Sequence, residues 1–238
     1  MFRTFLFFFS FFILTLITGL LLPVWHILGL AGFKKAQRKY SHYVSHYWAR
    51  ALVLAAGIRV TVKGLENIPR DDAVLFVSNH QGNFDIPILL GYINKPKGFL
   101  AKIELVKLPV IHSWMQKMGC VFIDRKNLRQ SVKAVQKCVE VLKGGQSMVI
   151  FPEGTRSKGA EMGEFKKGSL RLVEKVDVPI VPVSINGTYR IMEANNNRIK
   201  PGEVTVAVSP PIYPGGFSGE ETGDLNSLVR ERIAAGLN

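Results

Sequence analysis

Between Thr4 and Phe33 the chain carries no charged side chain if His26 is neutral, and the first part of this run is dense in Phe, Leu and Ile. A helix that crosses a bilayer needs about 20 apolar residues, and this stretch exceeds that. Soluble helices seldom stay apolar on every face for so long, so a buried core helix accounts for it poorly. Arg3 ahead of the run suits a cleaved signal peptide, but such peptides have apolar cores of about 7–15 residues and a small-residue cleavage site; this run is longer, and no clear A-x-A site follows. We therefore read a retained membrane segment, with Gly19 and Pro23 as places where it can kink.

A basic cluster, Lys34-Lys35-Ala36-Gln37-Arg38-Lys39-Tyr40, comes next, followed by Tyr43, Tyr47 and Trp48 and then the apolar Leu52 to Ala56. Cations and amphipathic rings of this kind belong at the headgroup level of a membrane. An interfacial helix is expected from Ala36 to Ala56, ended by Gly57. Two geometries fit: the first helix crosses the bilayer, or the two helices dip together into one leaflet. Residues 1–57 are thus expected to be membrane-associated helices, and residues 58–238 a single catalytic domain.

The 238 residues are enough for one sizeable core. Two cysteines, Cys120 and Cys138, cannot make a disulfide framework, and no Cys/His cluster suggests a metal, so the globular part is expected to face a reducing compartment. The formal charge of +13 favours an anionic partner: nucleic acid, an anionic bilayer or a phosphorylated substrate. Against nucleic acid, the basic residues are dispersed and no binding motif appears.

After Gly57 short apolar runs alternate with helical periods. Strands are expected at 58–62, 73–78, 98–102, 120–123, 147–151, 179–185 and 203–208, and the clearest helix at 128–143, with Val132, Val135, Val139 and Leu142 on one face. This alternation predicts an α/β fold: a single mixed, mostly parallel sheet with helices packed on it. A Pro- and Gly-rich loop over 210–223 should precede a short C-terminal helix from Leu225.

Polar clusters fall at expected strand ends, where open α/β sheets place their sites. The first is Asn79-His80-Gln81-Gly82-Asn83-Phe84-Asp85, between the apolar runs 73–77 and 86–90. His80 and Asp85 would lie about 140° apart on a continuous helix, but a turn can bring them together. The carboxylate could then fix the imidazole tautomer and leave the other ring nitrogen to take a proton. A plainer reading stands beside it, in which Asp85 caps a helix and His80 is a satisfied loop histidine. Asp124 and Arg125 end the strand that starts at Gly119. The turn Phe151-Pro152-Glu153-Gly154-Thr155-Arg156-Ser157 gathers Glu153, Thr155, Arg156 and backbone N–H groups in a way that suits a phosphate. Lys102, ending another strand, could reach the same anion. Backbone N–H groups near 79–82 or near Gly154 are candidates to stabilise an oxyanion.

Four ordered segments, His80 with Asp85 in 79–85, Gly119 to Arg125, Phe151 to Ser157 and Val178 to Val183, closely resemble the motifs of the 1-acylglycerol-3-phosphate O-acyltransferases, or lysophosphatidate acyltransferases, within the glycerolipid acyltransferase superfamily. The resemblance implies acyl transfer from acyl-CoA or acyl carrier protein to the 2-hydroxyl of lysophosphatidate, making phosphatidate, with no further cofactor and no metal. It implies His80 as base, Asp85 as its partner, and Arg125, Glu153, Gly154 and Arg156 as binders of the glycerol phosphate; Lys102 is similar to a basic residue often found between the first two motifs. The N-terminal helices make a phospholipid membrane the expected partner, the inner or cytoplasmic membrane with the catalytic domain facing the cytoplasm; the resemblance there is one of hydrophobic character alone. Gly82 stands where a serine is common, and Cys120 at a variable position. Rival readings are an acyltransferase for another lysolipid and a membrane-associated esterase or thioesterase; against the latter, there is no G-x-S-x-G elbow.

Overall fold

The computed structural model describes residues 1–166, 168–172, 175–216 and 222–237. The apolar N-terminus forms α1 (Phe2–Leu20) and α2 (Leu22–Leu30), which meet at Leu21. The break lies between the two expected kink points; Pro23, in the first turn of α2, has no N–H to continue the ladder. Together they are the one run among the described residues long and apolar enough to cross a membrane. The basic, aromatic helix α3 (Lys34–Ala56) starts two residues before the expected position and ends at Gly57, whose φ of 74° is easily reached only by glycine.

The expected α/β fold is found: seven strands in one mixed, mostly parallel sheet. They are β1 (Ile58–Lys63), β2 (Leu75–Ser78), β3 (Lys97–Lys102), β4 (Val121–Ile123), β5 (Ser147–Ile150), β6 (Ile180–Asn186) and β7 (Gly202–Val208). Their spatial order is β1-β7-β6-β2-β5-β3-β4. All neighbours are parallel except β6 and β7, so β2 to β6 point one way and the outer pair β1 and β7 the other. The loops that leave β2 to β6 therefore gather along one edge. The central strands β2 and β5 are buried at every position, which is why they read as unbroken apolar runs.

Helices α4 (Asp85–Tyr92), α5 (Pro109–Lys117), α6 (Leu128–Lys143) and α7 (Thr222–Ala235) complete the chain. The amphipathic α6 keeps its expected bounds and is capped by Asn127, whose side chain accepts from the Gln130 N–H at 3.0 Å. Helix α7 begins three residues before the expected Leu225, and part of the expected loop over 210–223 lies outside the described residues.

Two apolar clusters cover the two faces of the sheet. One is built by α6, α7 and residues such as Leu75, Val77 and Met148. The other joins Phe76, Val149 and Val181 to α3, α4 and the N-terminal helix. One stripe of α1, with Phe7, Phe11, Leu14 and Thr18 at helical spacing, turns toward this second cluster or is buried, while Phe2, Phe5, Phe9 and Phe12 stay exposed. Three bonds tie α1 down: Ile199 N–H donates to Thr4 Oγ1 (3.0 Å), Trp48 Nε1 to Thr15 Oγ1 (3.3 Å) and Trp114 Nε1 to the Thr18 carbonyl (3.1 Å).

Candidate active site

The turn after β2 folds His80 back on Asp85. His80 Nδ1 lies 2.6 Å from Asp85 Oδ2, and the same oxygen accepts the Gly82 N–H at 2.9 Å. An ionised carboxylate only accepts, so Nδ1 carries a proton, and in the neutral ring it is Nε2 that holds the lone pair. The carboxylate is fully buried, whereas the ring keeps 15% of its side-chain surface exposed. Phe151, just after β5, stacks on that ring with centroids 4.0 Å apart and planes 18° apart. Tautomer, tilt and exposed edge of the imidazole are thus all set.

Asp85 is not the helix cap. Phe84 holds the N-cap position of α4 and Asp85 is its first helical residue, with its side chain turned to the turn it follows. Its other oxygen, Oδ1, accepts from the buried Thr188 hydroxyl at 2.5 Å. Asn79 fixes the turn from the other side: its amide bonds both the carbonyl (2.9 Å) and the N–H (2.8 Å) of Ile185 on β6.

His80 lines a cavity of about 880 Å³, in the upper part of the range for small-molecule sites. Lys102 at the end of β3, Glu104 just after it, Arg125 in the loop leaving β4, and Thr155 and Arg156 in the loop leaving β5 also line it. Most of the rest is apolar, with Phe7 and Phe11 from α1, Trp48 and Leu52 from α3, and Met118 and Cys120 between α5 and β4; Thr15, Thr18, Ser45 and Asn83 add a few polar groups. Because Leu100 pairs with Val121 and Lys102 with Ile123, Cys120 enters β4 from the end opposite the one at which Lys102 and Arg125 leave the sheet. Burial pushes the Cys120 thiol up to about 12, so it is no nucleophile near neutral pH.

The cations at the cavity are unequally free. Lys102 Nζ pairs with Glu104 at 2.9 Å, both side chains about half exposed. Arg156 is held by Glu193 Oε1 (3.2 Å) and by the Asn83 side-chain oxygen, and Glu193 Oε1 also accepts the Asn83 N–H at 2.7 Å. A Cβ at Gly82 would meet Glu193 Oε2 at 2.6 Å, so glycine here leaves room for that carboxylate.

The acyltransferase family model matches residues 59–186, from β1 to the end of β6. The chain belongs to the acyltransferase family. Over 87% of its length it is 35% identical to the chloroplastic 1-acyl-sn-glycerol-3-phosphate acyltransferase BAT2 of Brassica napus, covering 58% of that protein. It is 33% identical to a 1-acyl-sn-glycerol-3-phosphate acyltransferase of Borreliella burgdorferi, over 76% of this chain and 73% of the relative. The chain thus spans less than two thirds of the length of the plant relative. Its structure is similar to that of the 1-acyl-sn-glycerophosphate acyltransferase PlsC of Thermotoga maritima, with a TM-score of 0.76, 34% identity, and coverage of 95% of this chain and 94% of that one.

Within this family fold, five of the residues singled out in the sequence (His80, Lys102, Arg125, Thr155 and Arg156) line the cavity, and Asp85 stands behind His80. Glu153 and Gly154 sit elsewhere. The buried Glu153 carboxylate accepts the N–H of His80 (2.7 Å) and of Gly163 (2.8 Å), and burial holds its pKa above the usual range. It braces the loops and does not face the cavity. Gly154, at φ 70°, shapes the turn, and its N–H donates to the Phe151 carbonyl at 3.0 Å. The N–H groups of His80, Gly82 and Gly154 are therefore already engaged, which removes them as oxyanion donors. Among the described residues no His, Cys, Asp and Glu side chains gather in a group able to hold a metal ion. Sequence reasoning missed Thr188 and Glu193, which follow β6 in a segment without a motif; their only signal was closeness to the end of an expected strand.

Proposed function

We propose that the chain transfers a fatty acyl group from a thioester donor, acyl-CoA or acyl carrier protein, to the 2-hydroxyl of 1-acylglycerol 3-phosphate, forming phosphatidate. The observation that carries this reading is the tautomer-fixed His80 in a largely apolar cavity that Lys102, Arg125 and Arg156 also line. Relatives named for this reaction, including the Thermotoga maritima protein that matches nearly the whole chain, support the same substrate.

In this reading His80 Nε2 takes the proton of the acceptor hydroxyl while Asp85 stabilises the imidazolium that forms. The acceptor oxygen attacks the thioester carbonyl and a tetrahedral oxyanion forms. Its collapse breaks the carbon–sulfur bond, and the leaving thiolate takes the proton back from His80. The acceptor is itself the nucleophile, so no acyl-enzyme and no cofactor is required. Arg125 and Arg156, with Lys102 at the rim, offer charge for the acceptor phosphate; Lys102 must first give up part of its pairing with Glu104. The apolar cavity suits an acyl chain, each buried methylene contributing about 0.8 kcal/mol. The exposed face of α1 and the basic start of α3 suit a phospholipid membrane, with the catalytic edge on its cytoplasmic side.

The test is incubation of the full chain in detergent with labelled acyl-CoA or acyl carrier protein and a panel of lysolipids, identifying products by mass. Phosphatidate is expected, and none from His80→Ala. A product from a different lysolipid alone would reassign the acceptor. Free fatty acid without acylated lipid would mark a thioesterase.

A further inference from the structure

Thr188 lies outside the matched family region and its side chain does not line the cavity, yet it touches the buried half of the proposed catalytic pair. Its side chain is fully buried, in the short turn that follows β6 and Gly187. The hydroxyl oxygen lies 2.5 Å from Asp85 Oδ1 and 3.5 Å from Gln81 Oε1. Gln81 Oε1 already accepts the Gly187 N–H at 2.9 Å. A hydroxyl has one proton to give, and the short contact to an acceptor-only carboxylate claims it. Asp85 then receives three donors, namely Thr188 on Oδ1 and His80 and Gly82 on Oδ2.

We infer that Thr188 is a positioning residue for the acyl transfer: its hydroxyl holds the Asp85 carboxylate in place as an anion so that Oδ2 stays directed at His80. The inference rests on the proposed role of His80 and Asp85. A carboxylate with one oxygen free in a dry pocket can swing about its Cβ–Cγ bond, and its charge gathers on fewer atoms. The Thr188 bond prevents both. The other charged groups near the pair are Glu153 behind the His80 backbone, the Arg156–Glu193 pair beside Asn83, and Lys102, Glu104 and Arg125 along the cavity. None of them touches Thr188, so its replacement leaves their contacts in place.

The experiment compares Thr188→Val and Thr188→Ser in detergent-purified full-length protein, with acyl-CoA and lysophosphatidate as substrates. Thr188→Val should lower kcat about 10- to 100-fold, the factor that a hydrogen bond to a charged group carries, with the acceptor KM unchanged. The acid limb of its pH–rate profile should move to lower pH, because a carboxylate free to swing away from Nδ1 stabilises the imidazolium less. Thr188→Ser keeps the donor and should restore rate and profile. Should the valine variant fail to fold, Thr188→Ala removes the same donor with less crowding and is read by the same criteria, with thermal unfolding measured alongside. A valine or alanine variant with parental kcat and profile overturns the inference; so does a serine variant that loses as much rate as valine, which would mark a packing role. His80→Ala separates the two levels: if it retains turnover, the base assignment itself has failed, whereas an inactive His80→Ala beside a fully active Thr188→Val removes only the role of Thr188.

Discussion

The ring of Phe7, on the apolar N-terminal helix, packs 5.3 Å from that of Phe84, the residue immediately before Asp85. A segment that looks like a simple anchor therefore bears on the turn that carries the proposed base. Phe7 is 6% exposed and lines the cavity. Phe7→Ala should destabilise the protein by about 3 kcal/mol, as large-to-small changes at buried aromatic sites do, and should lower activity in detergent, where membrane attachment no longer matters. Activity and unfolding assays in micelles check both. An effect confined to membrane-bound protein would make α1 an anchor alone.

Asp85→Asn should cost far more activity than stability. Asparagine offers one acceptor oxygen where the aspartate receives three donors, and its amide would face either His80 or Thr188. We expect kcat to fall by two to four orders of magnitude, the upper end being the loss in the Ser-His-Asp triad when that aspartate becomes asparagine. Steady-state kinetics beside thermal unfolding measure the split.

Arg125→Ala and Arg156→Ala should each raise the acceptor KM about tenfold while altering donor KM little, since both side chains are proposed to offer charge to the phosphate. For Arg156 a smaller fall in kcat should accompany this, because the guanidinium also holds Asn83 in the turn with His80. Titrating each substrate against fixed saturating levels of the other measures these effects.

Met118→Trp should shorten the longest acyl chain accepted. Met118, between α5 and β4, lines the cavity together with apolar residues such as Leu100, Ile111 and Met115. Each methylene kept out of the cavity forgoes about 0.8 kcal/mol, close to fourfold in kcat/KM. Rates across a series of saturated donors should fall steeply beyond the shortened limit and stay level below it.

Lys97 predicts a pH dependence of stability. Its ammonium is buried without an acidic partner, donating to the carbonyls of Ile93 (2.7 Å) and Lys95 (3.1 Å), and burial lowers its pKa to about 7. In the unfolded chain lysine titrates near 10.4. Between these values the unfolded state binds more protons, so stability is complete above the unfolded value and is lost as pH falls toward about 7. Stability should rise by a few kcal/mol from roughly pH 7 to pH 10, at up to about 1.4 kcal/mol per pH unit. In Lys97→Met this part of the slope should vanish, as paired denaturant titrations across that range would record.

Much of the fold was legible because its signals are local. The strands at β2 and β5 are short runs buried on both faces, and α6 repeats its apolar positions at the helical period up to Gly144. The same holds for the 79–85 block, where a turn between two apolar runs brought His80 to Asp85. The strand order and the reversed direction of β7 were not legible, since they depend on which edges meet after the chain has collapsed.

What the sequence by itself determined is the set of elements, the apolar N-terminus and the residue types at the strand ends, all of which act over a few neighbouring positions. Tertiary structure alone decided how those residues are used. Glu153, which by motif belongs with the phosphate binders, turns its carboxylate to two backbone N–H groups because the loop places them within 2.8 Å of it. Thr188 meets Asp85 across 103 residues only because β6 pairs with β2 in parallel, so that the segments leaving both strands share one edge. And α1 becomes a wall of the cavity because one stripe of an otherwise uniformly apolar helix finds Phe84 and Trp48 to pack against. Such contacts are set by sheet order and packing, which no short stretch of sequence encodes.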